Sequence, residues 1–183
     1  MASAPPRSGV SADQKLSTKR VLAYSLGDVA NNVAFMMTSL FLMAYMTEIA
    51  GVSAGVAGTI YGVTKIWAGI ADLTAGQVVG RKQTRFGRLR PWVLFGSLPL
   101  AACLVLLFST PAGLSPVMVV VWILLFDSAF QLAYSFVNIP YGSMAATLTQ
   151  DPVDRSRLAG ARSIAASVTG VVLATILSPQ FAD

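Results

Sequence analysis

Apolar residues run along this chain in blocks too long for strands. Five blocks, at about 21–48, 54–80, 92–110, 117–148 and 160–179, each hold enough residues to cross the hydrocarbon core of a bilayer as a helix, which takes about 20. None shows the period-two alternation of a barrel strand; Met118 through Phe126 is an unbroken apolar run. Turn residues separate the blocks. Gly51-Val52-Ser53 divides the first two, Pro111 through Pro116 the third from the fourth, and Pro91 stands where a first-turn proline opens the third. The pattern predicts an all-α membrane protein of about five transmembrane helices.

Polar residues interrupt the blocks at helical spacing. In the first helix Asp28, Asn31, Asn32 and Phe35 share a face. In the second, Lys65 and Asp72 lie two turns apart, about 10.5 Å along the axis, so they cannot pair with each other. In the fourth, Asp127, Gln131, Tyr134, Ser135 and Asn138 make a stripe nearly three turns long. The simplest arrangement turns the three polar faces toward one aqueous cavity. Counted from the cytoplasmic ends, Asp28 and Asp72 lie at equal depth and could share a cation or proton, and Lys65 matches Asp127, which predicts an ion pair. An ionisable group in such a helix costs about 2.5–3.5 kcal/mol on insertion scales, so these charges point to substrate or ion pathways. Asn31, Thr38, Ser39 and Gln131 read individually as interhelical glue. Gly55, Gly58, Gly62, Gly69 and Gly76 suit close helix packing and fit no nucleotide-binding pattern.

Charge fixes topology. Only 11% of the 183 residues are charged, too few to cover a soluble domain, and twelve of the 13 Lys and Arg fall in the tail, the second-to-third loop and the fourth-to-fifth loop. Those segments are expected in the cytoplasm, and the net charge of +5 needs no nucleic acid to explain it. Residues 1–20 lack the apolar stretch of a signal peptide and read as a disordered cytoplasmic tail. Cys103, the single cysteine, reads as a small hydrophobe. Five crossings place Asp183 outside and leave room for a sixth helix beyond the chain.

Between the second and third helices stands Gln83-Thr-Arg-Phe-Gly-Arg-Leu-Arg-Pro-Trp92, with five cations in ten residues at 81–90. Lipid anchoring explains part of it. With Tyr24-Ser-Leu-Gly-Asp28, Lys65-Ile-Trp67, Asp72, Asn138-Ile-Pro-Tyr141 and Arg162, the run resembles the signature of the glycoside-pentoside-hexuronide:cation symporters, the melibiose-permease family of the major facilitator superfamily. The resemblance spans about 21–183 and implies five helices of an amino-terminal six-helix bundle, cut before the sixth.

The resemblance also implies roles. The two sugar-binding acids of the family pattern read here as Asn32 and Asn138, and the arginine that orients them as Arg162; Asp28, Trp67 and Tyr134 complete the candidate substrate set. The cation-site positions read as Ala68, Ala71 and Asp72 with Ser135, so Asp72, Lys65 and Ser135 form the candidate coupling set. One carboxylate suits a proton better than Na+, which wants several oxygen ligands. An aromatic position near the sugar is Gly142. Arg85, Gly87, Arg88, Arg90 and Pro91 would form a cytoplasmic gate, with acids such as Asp72 or an absent second half as partners. The expected protein is thus a sugar:cation symporter of the cell membrane, without cofactor, structural metal or enzymatic activity, needing a carboxyl-terminal half or another copy to transport. A lipid or lysolipid carrier and a non-transporting scaffold are the alternatives; an ion channel subunit is disfavoured, since no filter-like segment is visible.

Overall fold

The structure, a computed structural model, describes residues 18–81, 87–148 and 151–177, and every element in them is helical. Five helices follow one another. We label them α1 (18–49), α2 (Ala54–Arg81), α3 (Arg90–Leu107), α4 (Pro116–Leu148) and α5 (Pro152–Leu177). The expected tail, apart from 18–20, and residues 178–183 lie outside the described residues.

Local chemistry sets the boundaries. α1 is α-helical over Thr18–Met36, then passes through π-helical turns at Met37–Phe41 and Tyr45–Ile49 around a short α segment, Leu42–Ala44. It stops at Gly51, whose φ of +67° is costly for a residue with a Cβ, and the Val52 N–H returns to the Met46 carbonyl at 2.8 Å. α4 starts on a Ser115 cap, whose hydroxyl accepts from the Met118 N–H at 3.4 Å, with Pro116 in the first helical position. α5 repeats the device. The Asp151 carboxylate accepts from the Val153 N–H at 2.9 Å, Pro152 follows, and the helix begins eight residues before the 160 that apolar content predicts. Arg155, Arg157 and Arg162 therefore lie on α5 rather than in a loop. Asp154 adds a carboxylate to its first turn and pairs with Arg157 at 3.3 Å.

Packing divides into two sets. α4 packs along both α2 and α3, and α1 packs along α5. Leu42, Met46, Val52, Ala57, Ile60, Leu107 and Ile123 form one core cluster; Ala34, Leu100, Phe130 and Val137 form another. The α3–α4 seam needs Gly96, because a Cβ there would lie 2.8 Å from Val137 Cγ2. The glycines of α2 behave differently from expectation. A Cβ at Gly55, Gly58, Gly62, Gly69 or Gly76 would meet nothing within 4 Å. The helix buries Ala57, Ile60, Thr64, Ala71, Ala75 and Val79 instead, and its glycines occupy the face turned away from α4.

Outward faces are apolar, with Leu98 78% and Val117 72% exposed, which suits hydrocarbon and not water. Among the described residues four helices are long and apolar enough to cross a membrane: Tyr24–Ile49, Arg90–Leu107, Pro116–Met144 and Pro152–Ile176. α2 has the length without the apolarity. Its glycines, threonines, Lys65 and Asp72 dilute it.

Candidate functional site

The polar faces of α1 and α4 meet inside the bundle. Asn31 donates through Nδ2 to Asn138 Oδ1 at 2.7 Å, with Tyr134 Oη 3.4 Å from the same nitrogen. Asn31 Oδ1 is buried and receives no hydrogen bond. Tyr134 is held by stacking against Phe35 and Phe130, with ring centroids 5.9 and 5.8 Å away. Toward the end of α1 that carries Tyr24, that residue and Tyr141 stack at 4.8 Å with their planes 6° apart, and each phenol donates to the other's backbone carbonyl. Gly27 leaves room for this clasp, since a Cβ there would lie 3.1 Å from the Tyr141 ring.

Asp28 lies between these two contacts along α1 and is 1% exposed. Its Oδ1 faces Arg162 Nε of α5 at 3.0 Å, and its Oδ2 accepts from Asn32 Nδ2 at 3.0 Å. Asn32 also donates to the Asp28 carbonyl at 2.8 Å, so its amide is turned back along its own helix. On α2 the carboxylate of Asp72 accepts from the Ser135 hydroxyl at 2.6 Å, a short charge-assisted contact across the α2–α4 seam. Trp67 donates its indole N–H to the Ser128 carbonyl at 2.9 Å.

A buried carboxylate paired with a half-buried guanidinium beside amides and a phenol, among helices apolar enough to cross a membrane, is a place to bind polyhydroxylated solute. The sequence profile described as MFS/sugar transport protein matches residues 23–183. The chain belongs to the MFS/sugar transport protein family. It is a multi-pass membrane protein, all-α, of the major facilitator type. It is 47% identical over 168 residues to the glucuronide carrier protein homolog of Escherichia coli (strain K12), covering 92% of this chain and 37% of that one. A putative glycoside/cation symporter of the same organism is 33% identical, covering 90% and 36%. The isoprimeverose transporter of Lactiplantibacillus pentosus is 33% identical, covering 87% and 33%. The chain spans about a third of the length of these relatives.

As a member of the MFS/sugar transport protein family, the chain carries its expected residues in several distinct groupings. Asn138, Tyr134, Asp28 and Arg162 belong to the α1–α4–α5 set, and Asp72 with Ser135 to the α2–α4 seam. Asn32 supports Asp28 from the same helix, and Asn31, read from the sequence as glue, is the α1 amide that reaches Asn138. Two adjacent asparagines differ by 100° around the helix, and periodicity alone does not choose between them. Trp67 has its one polar atom occupied by packing. Lys65 does not pair with Asp127: its ammonium lies 4.8 Å from the centre of the Tyr61 ring, while Gln131 donates to Asp127 Oδ1 at 3.2 Å. Asp28 and Asp72 have different direct partners, Arg162 and Asn32 for the one and Ser135 for the other.

In the cationic motif between α2 and α3, Arg85 lies outside the described residues. Gly87 has φ +96°, Arg88 folds back so that its guanidinium lies near Gly80, and Arg90 and Pro91 open α3. Among the described residues neither Arg88 nor Arg90 forms an ion pair, and the Asp72 expected as their partner is engaged by Ser135. No group of three or more His, Cys, Asp or Glu suited to a metal occurs among the described residues.

Proposed function

We propose that this chain supplies the amino-terminal helices of a sugar:cation symporter working by alternating access, with a glycoside, pentoside or hexuronide as substrate. The Asn31–Asn138 amide pair beside Asp28–Arg162 carries the reading. Its donors and acceptors fit sugar hydroxyls, and Arg162 can turn from Asp28 toward a hexuronide carboxylate, for which its planar fork is suited. The names of the relatives, a glucuronide carrier, a glycoside/cation symporter and an isoprimeverose transporter, support that substrate class.

Coupling runs through Asp72 with Ser135, and a single carboxylate with one hydroxyl suits H+ better than Na+. The tail, the α2–α3 loop and the cationic start of α5 face the cytoplasm of a cell membrane, and Arg85, Arg88 and Arg90 meet partners in the remaining two thirds of the protein as the inner gate closes. The chain alone does not transport.

The test joins this chain to the remaining part of the Escherichia coli glucuronide carrier protein homolog and follows uptake of a labelled glucuronide by cells. Uptake driven by an inward proton gradient, and loss of accumulation in Asp72→Asn, are expected. A chimera that reaches the membrane yet takes up no glycoside would sink the reading. Stimulation by sodium at fixed pH would reverse the choice of ion.

A further inference from the structure

Asp127 is a fully buried carboxylate that the substrate and coupling sets leave unused. Its carboxyl is 0% exposed, Oδ1 accepts only the Gln131 amide, and Oδ2 is buried without a hydrogen-bond partner. One neutral amide bond, even with the Thr64 hydroxyl nearby, is too little for an ionised carboxylate in the interior of a membrane bundle, where an uncompensated charge costs several kcal/mol. A protonated acid fits better. It keeps an acceptor for Gln131 and turns the other oxygen into a donor.

The facing helix supplies both what such a donor needs and what an ion would need. From α2 the polar groups acting on Asp127 are the Thr64 hydroxyl and the Lys65 ammonium. Thr64 is fully buried and spends its own proton on the Tyr61 carbonyl at 3.1 Å, which leaves its oxygen free to accept. Trp67 bonded to Ser128 pins α2 to α4 within a few residues of both groups, so the register cannot slide. Lys65 rests on the Tyr61 ring through a cation–π contact, on a flexible four-carbon stem. Tyr61, Tyr45 bonded to Thr110, the exposed Glu48 and Cys103 are the other titratable side chains that α2, α1 and α3 bring to this end of the bundle. Asp72 is held by Ser135, eight residues and about 12 Å further along α4.

We propose that Asp127 is a proton-binding site on the α2–α4 seam, separate from Asp72, protonated while Lys65 sits on Tyr61, and that loss of its proton draws the Lys65 ammonium across to the carboxylate. The ligand is a proton, and the moving part is one lysine side chain.

Infrared difference spectra of the purified chain, titrated with pH, read this directly through the C=O stretch of a protonated carboxylic acid. A band that persists at neutral pH, survives Asp72→Asn and vanishes in Asp127→Asn is expected. In Lys65→Met the ionised form loses its partner, so the band should persist to higher pH, its midpoint moving by about one unit or more, a tenfold change in acidity. No such band at neutral pH in the native chain, or a band unchanged in Asp127→Asn, overturns the site. An unmoved midpoint in Lys65→Met overturns the role of Lys65. Asp127→Asn keeps the size and the Gln131 bond; should it not fold, aspartate carrying a carbon isotope label, with Lys65→Met, answers the same question.

Discussion

Asn31 and Asn138 meet through one amide bond, and a primary amide carries a donor and an acceptor side by side, so the direction of that bond matters. Asn138→Asp keeps an acceptor in front of the Asn31 amide, and the new carboxyl escapes the cost of a buried charge by staying protonated, so stability should change by less than about 1 kcal/mol. Asn31→Asp places a second carboxylate one helical turn from Asp28 on the same face and removes the donor, so a loss of about 1–3 kcal/mol is expected. Thermal unfolding in detergent, with both variants side by side, measures the asymmetry; equal losses would contradict it. Arg162→Met strands the Asp28 carboxylate with Asn32 alone and should cost about 3 kcal/mol, and adding Asp28→Asn should recover much of that loss. The sequence made Asp28 and Arg162 visible separately, because charges in apolar runs stand out. Depth counting joined Lys65 with Asp127, which do not pair, and left Asp28 and Arg162 apart; their pairing, like the Tyr24–Tyr141 clasp, is a product of tertiary packing.

At the scale of helices, the two kinds of glycine give opposite expectations. Gly96→Ala drives a methyl into Val137 and should cost about 1–3 kcal/mol, whereas Gly62→Ala faces open space and should stabilise α2 by up to about 1 kcal/mol through helix propensity. Melting curves of the two variants decide between this assignment and a packing role for the α2 strip. Small-residue spacing marks a smooth helix face; it does not say whether another helix lies on it. The start of α5 was misplaced for a similar reason. Hydropathy finds where a helix turns apolar, near 160, but the helix begins where its first N–H groups find an acceptor, and Asp151-Pro152 provides that eight residues earlier. Ser115-Pro116 does the same for α4, and there the cap and the apolar run coincide, so the boundary was legible.

For the molecule as a whole, the uneven cations set the orientation to be tested. With Cys103 replaced by serine, Arg88→Cys should react with a membrane-impermeant thiol reagent only from the cytoplasmic side and Gly113→Cys only from the opposite side. The reverse pattern would invert the topology. The all-α class was readable because a membrane interior admits only helices and closed barrels, and the blocks show no strand alternation. Which faces meet was not, since membrane helices associate by shape and local hydrogen bonds that leave little trace in composition. The crossing of α1 and α4 carries a mechanical consequence. Beside the Phe35–Tyr134 ring contact, two hydrogen-bonded ties hold it, the paired tyrosines and, two turns further along α1, the Asn31 amide on Asn138 and Tyr134. One tie alone is a pin joint that fixes separation and leaves the scissor angle free; a second tie removes that rotational freedom. A solute hydroxyl that took over the asparagine bond would unlock the angle while the pin stayed fastened, so that occupancy and helix rotation become one event.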